Sequence, residues 1–126
     1  MQYNILFLFQ VMYIMEDKHS FSSYFKRAVS PLLVLHVLRD RPMYGYEINQ
    51  AMKRRSNDKL GLALLYPVLY KLEEDGYISQ TETRVENGRA RTYFTLTPAG
   101  QQYLDEKTAE FQDLADTMLA ILDGRA

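Results

Sequence analysis

Two changes of residue pattern constrain this chain more than any other feature. Helical spacing of apolar residues runs up to Gly76, gives way at Tyr77 to two runs rich in β-branched and aromatic residues, and returns after Pro98. A chain patterned this way folds as helices around a small β-element, so the expected class is mainly α with a small β-hairpin.

Three helices are expected before the switch. In the first, Phe25, Ala28, Val29, Leu32, Leu33, His36 and Val37 keep helical intervals, and Ser30-Pro31 marks the start of the regular helix. His36, among apolar neighbours, reads as a satisfied or edge histidine and not a ligand. The stretch Arg41-Pro42-Met43-Tyr44-Gly45 reads as a turn, and Tyr46 to Ser56 resumes helical spacing through Ile48, Ala51 and Met52. Lys53, Arg54 and Arg55 end that helix, where opposing the dipole explains at least one of them without any partner.

The third helix is the one expected to read something. Leu65, Val68, Leu69 and Leu72 form one apolar stripe. Pro67 is tolerated only in a first turn, so the helix begins a few residues earlier, and Gly76 closes it. Tyr66, Tyr70 and Lys71 fall off the stripe. With Pro67 they present two phenols, a proline ring and an ammonium, a surface suited to phosphates and base edges. The plainer reading is an amphipathic helix with tyrosines on its rim. Helix, short connection Asn57 to Gly61, helix is nevertheless a helix-turn-helix, whose second member enters a major groove.

Beyond the switch, Tyr77 to Thr83 and Arg91 to Thr97 flank Asn87-Gly88, a strong hairpin signal that puts Arg84, Arg89 and Arg91 at or near the tip. Such arginines clamp phosphates or enter a minor groove, although hairpin tips are charged and solvated in any case. Thr97-Pro98 is a helix start, hydroxyl cap then proline. Leu104, Phe111, Leu114, Met118 and Ile121 then recur at the sevens, threes and fours of a coiled-coil seam up to Gly124. A helix of roughly 36 Å exceeds what the small domain before it can cover, so pairing with a second copy is expected, the plainer reading being a core helix of its own chain.

The charge is uneven. Formal net charge is −1, but residues 24–97 hold 12 Lys+Arg against 8 Asp+Glu, a net of +4, while residues 98–126 hold 2 against 6, a net of −4. Nucleic-acid binding would rest on that local asymmetry. There is no cysteine, hence no disulfide frame or thiolate metal site, which fits a reducing cytoplasm. No glycine-rich phosphate loop and no promising histidine argue for an enzyme, and neither cofactor nor metal is expected. Residues 1–15 carry no charge, are too short for a membrane span, and lack a basic leader or cleavage site. They read as a segment buried on the domain or a second subunit, or, preferred, as an upstream extension with Met15 as the true start.

In order, these elements form a winged helix-turn-helix with a C-terminal dimerisation helix: an extension over 1–23, the DNA-binding domain over 24–97 and the helix over 98–126. From Ala28 to Leu122 the chain resembles the PadR family of bacterial transcriptional regulators, in its short branch. The matching residues are Tyr44-Gly45-Tyr46-Glu47-Ile48, Leu65-Tyr66-Pro67-Val68-Leu69, Lys71-Leu72-Glu73-Glu74-Asp75-Gly76-Tyr77-Ile78, and Tyr93-Phe94-Thr95-Leu96-Thr97 with Gly100. The resemblance implies a homodimeric repressor on a pseudo-palindromic DNA operator, released by a small-molecule effector. It implies DNA contact from Tyr66, Pro67, Tyr70 and Lys71, phosphate support from Tyr44, and a wing served by Arg89 and Arg91.

Three departures from the family pattern accompany it. Leu64 replaces a small hydroxyl residue; Ala90 and Thr92 dilute the wing's basic run, which predicts a shallower salt dependence; and no tryptophan is present to line a drug cavity between subunits, where Phe111 and Met118 remain candidates. The alternative function is a winged-helix module that docks a protein through Tyr66 and Tyr70.

Overall fold

A computed structural model of the protein describes residues 5–6, 20–61 and 65–125. Most of the proposed extension and the departure at Leu64 lie outside these residues. The chain divides into two compact units, residues 1–30 and 31–126.

In the first unit, Ile5 and Leu6 are helical and exposed. The helix α1, Phe21–Leu38, starts well before Ser30-Pro31 and carries Pro31 in its interior. The expected start was therefore wrong. The start signal lies at Ser20, whose Oγ accepts from the Ser23 amide at 3.3 Å; an interior proline loses one amide bond and crowds the carbonyl four residues back, a cost of about 3 kcal/mol that this helix carries. Within this unit Phe21 and Phe25 stack at 6.2 Å, and the Ser30 hydroxyl donates to the Lys26 carbonyl.

In the second unit, α1 contributes Val34, Leu35, Val37 and Leu38 to the core, all at most 2 % exposed. That face differs from the expected one, since Phe25, Ala28 and His36 are exposed and Leu32 and Leu33 only partly buried. The run Leu32 to Leu38 is apolar at every position but His36, so several faces satisfy helical spacing and packing selects among them.

The segment expected as a turn contains strand β1, Met43–Tyr44. Then follow α2, Gly45–Arg55, and α3, Leu65–Glu74. The strands β2, Ile78–Glu86, and β3, Arg89–Leu96, complete an antiparallel sheet in the order β1-β3-β2. The third strand escapes a periodicity argument because two residues carry no period; its pairing, Met43 with Phe94 and Tyr44 with Tyr93, is a tertiary event. Asn87 and Gly88 turn the hairpin at φ of 51° and 75°, the double positive φ of a turn matched to strand twist.

The expected apolar positions of α2 and α3 hold. Ile48, Ala51, Met52, Leu65, Leu69 and Leu72 are buried, with Val68 packed against them. Pro67 lies in the first turn of α3. Gly76, at φ 82°, ends α3 with the Tyr77 amide on the Leu72 carbonyl at 2.9 Å and its own amide on Glu73 at 3.0 Å, the paired bonds of a left-handed helix stop. Glu73, Glu74 and Asp75 put three acids at a helix C-terminus, where they oppose the dipole; Asp75 accepts from Lys71 at 3.1 Å and Glu73 from Gln80 at 3.4 Å, which gives two of them partners.

The last helix, α4, is Pro98–Leu122. Thr97 Oγ1 accepts from the Gly100 amide at 3.0 Å and donates to the Gly76 carbonyl at 2.7 Å, so one hydroxyl caps α4 and ties it to the end of α3. Leu104, expected in an intersubunit seam, instead lies 2 % exposed in the core of its own chain. It belongs to the first turns of α4, where Tyr103 also stacks on Tyr77 at 4.1 Å, so the domain itself covers that part of the helix. Phe111, Leu114, Met118 and Ile121, further along, are exposed at 40, 46, 53 and 59 %. Gly124 closes the helix, at φ 73°, with the Arg125 amide on Ala120 at 2.9 Å.

Candidate nucleic-acid interface

Between α3 and the hairpin lies a cleft of about 590 Å³. Tyr66 and Tyr70 of α3 form one wall, Arg89 to Thr92 of β3 the other, and Tyr44, Gly45 and Tyr46 the region where α2 begins. Five residues singled out in the sequence, Tyr44, Tyr66, Tyr70, Arg89 and Arg91, thus line one groove. Pro67 and Lys71, the other two, are exposed on α3 outside its lining.

The α3 wall follows from helical geometry. Tyr66 and Tyr70 are four apart, so their rings neighbour one another at 6.2 Å, and both are more than half exposed. Three apolar residues on the opposite face hold the helix down, leaving the phenols outward. The Lys71 ammonium pairs with Asp75 at 3.1 Å, and that hydrogen bond is the main cause raising its pKa.

The motif Tyr44-Gly45-Tyr46-Glu47 acquires a physical account. Glu47 accepts from the Tyr44 amide at 3.3 Å and pairs with Arg41 at 2.9 Å, satisfying a donor at the start of α2 with an acid suited to a helix N-terminus. Gly45 leaves room for Tyr66: a β-carbon there would stand 2.6 Å from the Tyr66 hydroxyl. Tyr46 lines the cleft at its α2 end, 64 % exposed. Of these, the sequence reading gave a role only to Tyr44. The clue was that glycine and tyrosine alternate where a helix begins.

Tyr44 reaches the wing. Its hydroxyl accepts from Arg91 at 2.8 Å, the Arg91 guanidinium lies 4.6 Å from its ring centre, and its ring meets Tyr93 edge-on at 5.4 Å. Arg91 also pairs with Glu86 at 2.9 Å. Arg84 lies over the Tyr93 ring at 4.5 Å and pairs with Glu82, which holds the Glu82 carboxyl below its ordinary value. Burial is the leading cause that raises the Tyr93 phenol. Glu82 and Glu86, to which the sequence reading gave no role, offset two of the wing's three arginines. The Arg89 side chain forms no ion pair or hydrogen bond among the described residues.

Three helices, a short β1 and a hairpin whose groove faces the second helix of a helix-turn-helix define a winged-helix protein. Residues 34–106 match the model of the transcriptional regulator PadR-like family. The chain is 36 % identical over 95 residues to Transcriptional regulator Rv3488 of Mycobacterium tuberculosis, covering 75 % of this chain and 87 % of that protein. A transcriptional regulator from Clostridium thermocellum superposes with a TM-score of 0.67 at 26 % identity, covering 73 % of this chain and 91 % of that one. A PadR family regulator from Eggerthella lenta reaches 0.71 over 94 % and 97 %, at 23 % identity, a likeness of fold. The chain belongs to the PadR-like family of transcriptional regulators, and its work is regulation of transcription, not catalysis. No helix among the described residues is long and apolar enough to cross a membrane.

Proposed function

We propose that the protein is a homodimeric, sequence-specific DNA-binding repressor that a small-molecule effector releases from a pseudo-palindromic operator. The observation that carries this reading is the cleft: α3 and the wing present Tyr66, Tyr70, Arg89 and Arg91 on facing walls, the arrangement needed to engage a major groove and the adjoining backbone together. Tyr66, Pro67, Tyr70 and Lys71 meet bases and phosphates, Arg89 and Arg91 serve the wing's wall of the cleft, and Tyr44 joins the two walls where α2 begins.

Dimerisation is supported by the outer half of α4. Phe111, Leu114, Met118 and Ile121 at threes and fours form an apolar stripe exposed in the single chain, and a second copy of the same helix is its natural cover. Release by an effector follows from the family resemblance, with Phe111 and Met118 the residues offered to a cavity between copies.

The test is a salt titration of binding to the duplex upstream of the protein's own gene, with an unrelated duplex as control. Selective binding whose log affinity falls linearly with log salt is expected. Binding to neither duplex at low salt would favour a module that docks a protein through Tyr66 and Tyr70.

A further inference from the structure

Resting on the DNA-binding reading, we infer that Arg91 is a positioning residue: it acts through Tyr44 to fix the wing against the start of α2, and leaves phosphate contact at the wing to Arg89. Arg91 serves several partners at once. It donates to the Tyr44 hydroxyl at 2.8 Å and to Glu86 at 2.9 Å, stacks over the Tyr44 ring at 4.6 Å, and keeps only 24 % of its side chain exposed. A guanidinium suits this because its planar fork hydrogen-bonds and stacks together, which an ammonium cannot match.

Leaving these partners for DNA is electrostatically costly. Glu86 lies on the wing itself, and an Arg91 that turned to a phosphate would leave that carboxylate unpaired beside the anionic backbone. While the pair stays closed, both charges are silent toward DNA.

Tyr44 is a fixed anchor. Its backbone pairs with Tyr93 of β3, its amide bonds Glu47 at the first turn of α2, and its ring abuts Tyr93. Arg84 covers Tyr93 and is itself held by Glu82. The row Arg91, Tyr44, Tyr93, Arg84 therefore binds both strands of the wing to the residue that opens α2. Arg89, two residues nearer the tip, is exposed and without an ion pair among the described residues.

The experiment measures affinity for the upstream duplex as a function of salt for the wild type, Arg89→Ala, Arg91→Lys, Tyr44→Phe and the Tyr44→Phe/Arg91→Lys pair, at a temperature where circular dichroism shows each folded. Arg91→Lys keeps the charge. It should nonetheless bind roughly tenfold more weakly, the scale of a lost charged hydrogen bond, at an unchanged salt slope. Tyr44→Phe should weaken binding too, and the double variant should be no weaker than the weaker single, because the two act as a unit. Arg89→Ala should flatten the slope by about 0.9, one phosphate contact.

Wild-type affinity in Arg91→Lys would make Arg91 a point charge on a phosphate and overturn the proposal. Lower melting temperatures with unchanged affinities would reduce the contact to stability and overturn it equally. If the wild type binds no DNA, the DNA-binding reading fails, and this proposal with it; binding by the wild type with additive losses sinks the proposal alone.

Discussion

Gly100 lies against the carbonyl of Tyr77 so closely that a β-carbon at residue 100 would stand 2.0 Å from the carbonyl oxygen. The first turn of α4 crosses the end of α3 at this point, and the neighbour is backbone, which cannot swing aside as a side chain would. The same crossing carries the Thr97 hydroxyl, bonded to both Gly100 and Gly76.

Gly100→Ala is therefore expected to destabilise the fold by about 3 kcal/mol or more, and Thr97→Ala by about 1–2 kcal/mol for the lost cap and its second bond. Urea unfolding followed by circular dichroism checks both. A Gly100→Ala chain as stable as wild type would mean the two segments do not meet this closely.

Two halves of α4 should respond oppositely to substitution. Leu104→Ala empties a core position and should cost about 2–5 kcal/mol of stability without changing the association state of the folded protein. Leu114→Asp and Met118→Asp touch exposed positions and should yield folded monomers in sedimentation velocity. Dimers that survive both aspartates would place the subunit contact elsewhere.

Lys71 is shared between Asp75 and any phosphate it meets. Lys71→Ala should weaken operator binding while leaving the dimer intact. Asp75→Asn, which frees the ammonium from its partner at 3.1 Å, should strengthen binding by up to about fivefold at low salt, the scale of an exposed ion pair. Weaker binding on Asp75→Asn would show that the carboxylate orients Lys71 instead of competing for it.

An acid titration isolates the link between the end of α1 and the end of α2. Asp40 accepts from Arg55, and this hydrogen bond lowers its carboxyl below the ordinary 3.8. A depressed carboxyl stabilises the fold at pH above 3.8, and the contribution fades as the pH falls through the lower folded value. Asp40→Asn should therefore be less stable than wild type near neutrality and converge with it in acid, as read by unfolding midpoints across that range. Because both partners are exposed, the gap should be small; a gap that widens in acid would contradict the assignment.

The sequence by itself determined the order of the helices and the hairpin, the tyrosine-bearing third helix, the hairpin turn at Asn87-Gly88, the caps at Thr97, Gly76 and Gly124, and five of the residues that line the cleft. These are legible because they depend on local rules: helical spacing, proline and glycine geometry, and a hydroxyl three residues from an amide. Tertiary structure alone decided which face of α1 is buried, that Met43–Tyr44 is a strand, that Leu104 belongs to its own core, and that Arg91 is tied to Tyr44 across 47 positions of sequence. A continuous apolar run has no preferred face until something packs against it, two residues have no period, and an arginine's partner is chosen by whichever ring and carboxylate the fold brings within reach.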